Sequence, residues 1–158
     1  MNDKLRIKVI SDNRQARYLY EILDTATDPA VLKRGFNVLI HYHSRNNNQE
    51  AVLNAYEKAF TKLEENAGFL NGYGWYIYEN RIKAKYGHAI KLTKRALELE
   101  PEAESIWDTL SWLEFEYGNI DKAIEHMERC IELDPETKYY QDNLKKMKET
   151  REKEKSIS

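Results

Sequence analysis

The feature that most constrains the fold is a 34-residue period in the second half of the chain. The segment HAIKLTKRALELEP ends at Pro101, and a segment with the same skeleton, KAIEHMERCIELDP, ends at Pro135 (135 − 101 = 34). Ala89 and Ala123 stand the same distance apart. Periods of this length are typical of stacked helical hairpins, which bury their apolar faces only against neighbouring hairpins. The period therefore predicts an all-α repeat protein.

The later copy also carries a recognisable order of residue types. Trp107 and Leu110 are three residues apart, Ala123 and Met127 follow at a spacing of four, and Pro135 closes the copy. This order resembles that of the tetratricopeptide-repeat (TPR) family, in which W-x-x-L-G precedes A-x-x-x-F and a final proline. The resemblance implies a right-handed α-α superhelix, or solenoid, with about three helix pairs and a capping helix at each end.

The same pattern divides the chain into five segments. Three TPR-like repeats are predicted at 33–69, 70–103 and 104–137, and the first of these is the faintest. Residues 1–32 are predicted to form an N-terminal segment with a capping helix. Residues 138–158 are predicted to form a C-terminal capping helix with a charged tail. A stack of three hairpins is close to the minimum for stability, so the capping helices should matter.

Local signals place several helix ends. Asp28 before Pro29 is typical of a helix start, and Asp12 is a second candidate N-cap. Gly118 and Gly68 are each predicted to end a helix. The segment KLRIKVI, at 4–10, alternates as a strand would, and a linker, a tail and the edge of a preceding domain are all open interpretations.

Charge and hydropathy exclude several classes of partner. The formal charge is −2 with a pI near 6.1, which gives no reason to expect nucleic acid or an anionic membrane as the target. No apolar run approaches the roughly 18 residues of a spanning helix, and the first residues lack a secretory signal. We therefore predict a soluble, cytoplasmic protein.

The stretches NGYGWY and WDTL also resemble helical-repeat tails of bacterial thioredoxin-like proteins, so a TPR region of a longer protein is an alternative.

No pattern of catalytic or metal-binding residues is found. His41 and His43 are two residues apart, whereas a helical metal site needs a spacing of three or four. The single cysteine, Cys130, replaces Ala96 in the repeat and is predicted to be an inert core thiol. We therefore predict no enzymatic activity, no metal and no cofactor.

The TPR resemblance implies a concave groove lined by the first helix of each repeat, which holds a peptide or a partner helix. Transferring the groove positions residue by residue yields a candidate site. Its members are Asn37, His41, Asn71, Tyr78, Arg81, Asp108, Trp112 and Phe115. Tyr78 and Trp112 are 34 residues apart (112 − 78 = 34), so two adjacent repeats each present a large ring. Rigid aromatic side chains are common interface anchors.

Two alternatives remain open for this surface. The rings of Tyr78 and Trp112 either form a binding surface or are covered by neighbouring helices. The chain either binds a protein or peptide in the groove or acts as a scaffold that forms homo-oligomers through its ends. The basic clamp with which some TPR proteins hold a C-terminal carboxylate is absent, although Arg34, Arg45 and Arg81 remain able to contact an acidic ligand in another geometry.

Overall fold

A computed structural model describes residues 12–63 and 65–157, and within these ranges the regular structure is entirely helical. The helices are α1 (Asn13–Thr25), α2 (Pro29–Arg45), α3 (Gln49–Lys62), α4 (Ala67–Glu79), α5 (Tyr86–Leu99), α6 (Glu104–Tyr117), α7 (Ile120–Leu133) and α8 (Lys138–Ile157), with a short 3-10 helix at Lys83–Lys85. None of these helices is both long enough and apolar enough to cross a membrane. The strand-like segment 4–10 lies outside the described residues.

Capping side chains explain where the first helices begin. Asp12 Oδ1 accepts a hydrogen bond of 2.8 Å from the backbone N–H of Gln15, which caps α1. Asp28 caps α2 in the same way through the N–H of Ala30 at 2.8 Å, and Pro29 occupies the first helical position. These starts, predicted from the sequence, are confirmed.

The two predicted glycine helix ends have different outcomes. Gly118 ends α6 in the left-handed conformation with φ of 95°, which favours glycine, so this prediction is confirmed. The prediction for Gly68 is wrong, because this residue lies in the first turn of α4. Asn66 starts that helix by accepting a hydrogen bond from the N–H of Phe69 at 3.2 Å. The capping side chain upstream of Gly68 thus decides the boundary.

The described residues fall into two compact units, and the first contains α1 to α3 and ends at Glu65. Its core includes Leu23, Phe36 and Leu39, each almost fully buried. A Cβ on Gly35 would lie 2.5 Å from Leu23 Cδ2, so the absence of a side chain there lets α1 pack closely on α2. Lys62 Nζ donates to the carbonyl oxygen of Leu23 at 3.0 Å and links the end of α3 to α1.

The second unit, residues 66–158, contains α4 to α8. Helices α4 and α5 form one antiparallel pair, α6 and α7 form the next, and α8 packs against α7. The interior is apolar and includes Tyr73, Ile77, Leu113, Met127 and Met147, none of which is exposed to solvent. This burial joins the two pairs and α8 into one core.

The 34-residue period continues into α8. Trp107 Nε1 donates to the carbonyl oxygen of Pro101 at 2.9 Å, and Gln141 Nε2 donates to that of Pro135 at the same distance. Both the donors and the acceptors are 34 residues apart (141 − 107 = 34, 135 − 101 = 34). Helix α8 therefore takes the position of the first helix of a further repeat.

Candidate functional site

Two of the predicted site residues, Asn37 and His41, belong to the first unit. Both lie on α2, one turn apart, and both are exposed. The neighbouring His43 is instead buried, with Nε2 at 3.4 Å from the hydroxyl of Tyr20. Burial lowers the pKa of His43 below its usual value. Asn37 and His41 are thus available to a ligand of the first unit, whereas His43 is part of its packing.

In the second unit, aromatic side chains gather on α4, α6 and α8. The rings of Tyr78 and Trp112 stack with centroids 5.5 Å apart and planes inclined by 26°. Trp75 extends this contact at 5.2 Å from Tyr78, and Phe115 meets Trp112 edge-on at 5.7 Å. Together with Tyr139 of α8, these four residues form what is called here the aromatic face. The sequence-predicted pair Tyr78 and Trp112 is therefore in direct contact.

Members of the aromatic face differ in their exposure. Trp112 is only 6% exposed, and its Nε1 donates to the hydroxyl of Tyr139 at 3.1 Å. Tyr139 is 47% exposed, while Tyr78 and Phe115 are half-buried. Trp112 is thus covered by α8, whereas Tyr78, Phe115 and Tyr139 present part of their rings to solvent.

Asp108 places a carboxyl group next to Tyr139 and Trp112 of the aromatic face. Burial raises its pKa to about 6, and hydrogen bonds with Tyr139 and Trp112 oppose that shift without cancelling it. Its Oδ1 atom is buried and has no hydrogen-bond partner among the described residues. A buried acceptor without a donor is costly, because it has lost its water without a replacement. The carboxyl group of Asp108 is therefore an energetically unfavourable polar group within a mainly aromatic surface.

The electrostatic surroundings of Tyr78 have a net acidic character. Burial raises the pKa of Tyr78 to about 12, and the negative charges of Glu116 and Asp108 reinforce the shift, with a further contribution from Tyr139. Arg81 opposes it. Arg81 itself is exposed and follows α4 in a turn with φ of 51°. Among the charged groups that shift the pKa of Tyr78, the two carboxylates of Glu116 and Asp108 thus oppose the one guanidinium of Arg81.

A cation already lies on the aromatic face. Lys146 Nζ of α8 lies 5.5 Å from the centroid of the Trp112 ring, within the distance of a cation–π contact. Lys146 is exposed, so its ammonium group stays hydrated while it covers the ring. The ring of Trp112 therefore interacts with a positive charge in the protein itself.

The remaining groove positions of α4 have different surroundings. Asn71 is half-buried, and its Oδ1 has no hydrogen-bond partner among the described residues. Gly74, three residues after Asn71 on the same helix, is buried, and a Cβ there would lie 2.3 Å from Thr93 Oγ1. Gly74 is therefore a packing position between helices.

Sequence reasoning did not include Trp75, Tyr139 and Lys146 in the site. Two of them follow from extending the period by one more repeat. Lys146 stands 34 residues after Trp112 of the predicted groove, and Tyr139 stands 34 residues after Ser105, which lies about two turns before Trp112 on α6 (146 − 112 = 34, 139 − 105 = 34). The prediction of a capping helix at 138–158 ends the repeats at residue 137, so it leaves Tyr139 and Lys146 of α8 out of the site.

A metal-binding cluster and a reactive cysteine would be further candidate sites within the described residues. Within residues 12–63 and 65–157, no cluster of three or more His, Cys, Asp or Glu side chains has the arrangement of a metal site. Cys130 is fully buried, and burial raises the pKa of its thiol to about 12. The predicted core position of Cys130 is thus confirmed, and a thiol with so high a pKa is a poor nucleophile at neutral pH.

Comparisons with known proteins identify the repeat type. Residues 104–137, which form α6, α7 and the turn after them, match the family described as tetratricopeptide repeat. MamA from Desulfovibrio magneticus RS-1, solved from residue 41 to its end, is 19% identical with a TM-score of 0.72, over 90% of this chain and 77% of that one. The chain has the fold of tetratricopeptide-repeat proteins. The predicted TPR resemblance and the all-α fold class are thus confirmed.

Two further TPR structures have the same fold. The first TPR domain of human RPAP3 is 17% identical with a TM-score of 0.68, over 82% of this chain and 97% of that one. The first TPR of Spaghetti (RPAP3), bound to the HSP90 peptide SRMEEVD, is 15% identical with a TM-score of 0.62, over 90% and 98% of the two chains. At these identities the likeness establishes the fold and nothing more.

A short sequence match involves a different kind of protein. Over 23 residues, the chain is 78% identical to the SsrA-binding protein of Synechocystis sp. (strain ATCC 27184 / PCC 6803 / Kazusa). The matched segment covers 15% of this chain and 15% of that protein. The similarity is therefore local, and it gives no information about the repeats.

Proposed function

We propose that this TPR protein is a non-catalytic protein-interaction module, and that its second unit binds a peptide or a partner helix on the aromatic face. The tetratricopeptide repeat is a protein-interaction family without enzymatic activity, and a solved TPR of similar fold holds an HSP90 peptide. The proposed module requires no cofactor. Asn37 and His41 of the first unit are proposed as further polar contacts for a protein ligand.

The observation that carries this proposal is the carboxyl group of Asp108 next to Tyr139 and Trp112 of the aromatic face. An unpaired buried acceptor lowers the stability of the fold, and such costs are concentrated at functional sites. Tyr78 and Tyr139, two partly exposed rings of the aromatic face, interact with this carboxyl group, and Phe115 presents a third partly exposed ring beside Trp112. Rigid aromatic rings around a small number of polar groups are typical of peptide-binding surfaces.

Affinity capture with two variants tests this proposal. Tyr78→Ala and Tyr139→Ala shorten half-exposed rings of the aromatic face and should therefore leave the fold intact while reducing capture of a protein ligand. Tyr117→Ala is the matched control, because Tyr117 is 57% exposed and lies at the end of α6, outside the aromatic face. Circular dichroism checks that each variant is folded.

The result expected is a ligand that the wild type and Tyr117→Ala retain and that both other variants lose. Isothermal titration with the isolated ligand then measures the loss, which should be at least about tenfold for a central aromatic anchor. Equal capture by all four proteins would contradict binding at the aromatic face. In that case, sedimentation analysis of the free protein would show whether it acts as a self-associating scaffold.

A further inference from the structure

We propose that the aromatic face selects a basic partner segment by binding a lysine or arginine side chain of that segment between the rings and the carboxylate of Asp108. This inference rests on the proposed function, since it names the chemistry of the ligand that the aromatic face would hold. It gives the unpaired oxygen of Asp108 a donor, and it makes the selectivity opposite to that of a groove with a basic carboxylate clamp.

The first argument is charge. Among the charged side chains that shift the pKa of Tyr78, the carboxylates of Asp108 and Glu116 outnumber the guanidinium of Arg81, and Lys146 lies beyond them on the Trp112 ring. From Glu98 to Glu136, the chain carries thirteen acidic residues against two basic ones, Lys122 and Arg129, and five of the thirteen acidic side chains are in ion pairs. A cation approaching α6 is therefore attracted both locally and by the wider field, whereas a carboxylate is repelled.

The second argument is the unsatisfied acceptor. Asp108 Oδ1 has no hydrogen-bond donor among the described residues, while the same carboxyl group interacts with Tyr139 and Trp112. Guanidinium and ammonium groups supply only donors, and their hydrogen bonds to carboxylates are roughly twice as strong as neutral ones. A basic side chain therefore matches what this position lacks, whereas another carboxylate would add a second acceptor.

The third argument is the cation already present. Lys146 Nζ lies over the Trp112 ring at 5.5 Å, which shows that this part of the aromatic face accommodates a positive charge. The half-buried rings of Tyr78 and Phe115 adjoin Trp112 at 5.5 and 5.7 Å. They offer additional ring surface to the aliphatic stem of an incoming lysine or arginine.

Access to Asp108 requires one side chain to move. Tyr139 contacts both Asp108 and Trp112, but its ring is 47% exposed. Rotation of an exposed tyrosine side chain occurs on the nanosecond scale, and here it breaks the hydrogen bond from Trp112 Nε1. A basic side chain can then reach the carboxyl group and donate to its unpaired Oδ1 atom.

Three matched peptides test the inference by NMR. Each is an acetylated and amidated octapeptide of alanine and glycine that carries two arginines, two glutamates or two glutamines. The readout is the indole N–H signal of each of the three tryptophans, assigned with Trp107→Phe and Trp75→Phe variants. Trp107 is the internal control, because it lies outside the aromatic face and its N–H is bound to the carbonyl oxygen of Pro101.

The arginine peptide is expected to shift the indole signal of Trp112, but not that of Trp107, and to bind at least about five times more tightly than the glutamine peptide. In Asp108→Asn this preference should disappear. Asp121→Asn is the control that removes an equal charge from an exposed position of α7, and it should keep the preference.

The remaining outcomes separate this inference from the proposed function. If the glutamate peptide shifts Trp112 more strongly than the arginine peptide, the aromatic face is a binding site but its selectivity for cations is refuted. If the arginine preference persists in Asp108→Asn, Asp108 is not its source and the inference is wrong. If no peptide shifts Trp112, the inference is also wrong, and the capture experiment with Tyr78→Ala decides independently on the proposed function.

Discussion

Lys148 of α8 lies 2.7 Å from Glu128 of α7, measured between Nζ and Oε1. One repeat earlier, Lys94 of α5 lies 2.8 Å from Glu114 of α6, so the same ion pair occurs 34 residues apart with its charges exchanged (128 − 94 = 34, 148 − 114 = 34). Coulomb attraction is unchanged when both signs are reversed. The second helix of one repeat and the first helix of the next therefore carry opposite charges at this point in both cases, in either order.

Burial distinguishes the energetic contributions of these two pairs. The side chain of Glu114 is 1% exposed and also accepts from Asn119 Nδ2, whereas that of Glu128 is 46% exposed. We expect Glu114→Gln to lower the free energy of unfolding by about 1–2 kcal/mol, because it removes charge-assisted hydrogen bonds from a buried site. Glu128→Gln should change it by less than about 0.5 kcal/mol. Urea denaturation of both variants measures the difference, and equal effects would contradict the role of burial.

The pH dependence of the Glu114 contribution follows from its pKa. Burial alone would raise this pKa, but hydrogen bonds from Lys94 and Asn119 outweigh burial and lower it below 4.5. A carboxyl group with a lowered pKa in the folded state contributes stability above its ordinary pKa and loses that contribution as the pH falls. The difference in unfolding free energy between wild type and Glu114→Gln should therefore shrink below about pH 4.5.

Much of the fold could be predicted from the sequence because its signals are local or periodic. The 34-residue period identified the repeat type, and the side chains of Asp12 and Asp28 marked helix starts that the structure confirms. Gly68 was wrongly predicted to end a helix, because glycine is compatible with both ends. The competing signal, the cap at Asn66, is recognisable only once the position of α4 is known.

Asp108 should destabilise the folded protein at neutral pH. Its pKa is about 6 in the fold and 3.8 as an ordinary aspartate, so the folded state binds more protons than the unfolded state between these values. Stability therefore falls as the pH rises from about 4 to 6, by up to about 3 kcal/mol (6 − 3.8 = 2.2 units). Asp108→Asn should remove this loss and raise the melting temperature at pH 7.5.

The measurement is thermal unfolding from pH 4 to pH 8, with Asp121→Asn as an exposed control. The titrating groups that interact with Asp108 are Tyr78 on α4, Cys130 on α7, and Tyr139 and Tyr140 on α8. All four are neutral in this range. The part of the pH dependence of the melting temperature that disappears in Asp108→Asn therefore comes from Asp108 itself. If Asp108→Asn is less stable than the wild type at pH 7.5, the carboxylate of Asp108 does not destabilise the fold and the prediction is wrong.

The candidate site was less predictable than the fold. The resemblance placed Tyr78 and Trp112 on equivalent positions, but stacking of their rings and the cover supplied by Tyr139 depend on how α8 packs. Burial of the Asp108 carboxyl group likewise results from contacts between helices far apart in sequence. Exposure of a ring or a carboxylate is a property of tertiary packing, so a single position in a repeat pattern does not determine it.

Gly74 should tolerate no side chain. A Cβ at this position would lie 2.3 Å from Thr93 Oγ1 and 3.3 Å from Leu113 Cδ1, both on buried residues. We expect Gly74→Ala to destabilise the protein by about 1–3 kcal/mol despite the higher helix propensity of alanine, because neighbouring helices must separate. Gly87→Ala is the matched control, since its nearest neighbour would be Tyr117 Oη at 3.8 Å. It should be neutral or stabilising by less than about 1 kcal/mol, as urea denaturation can measure.

Helix α8 is predicted to cap the second unit, and Met147 provides the test. This side chain is fully buried, and its sulfur lies 3.6 Å from Ser111 Oγ of α6. Met147→Ala should therefore lower the free energy of unfolding by about 2–4 kcal/mol, in the range of large-to-small core substitutions. Lys145→Ala, two residues away on an exposed position of α8, should change it by less than about 0.5 kcal/mol. If chemical denaturation finds the two variants equally stable, α8 is not packed on the core, and the cap assignment must be abandoned together with the cover that α8 gives Trp112.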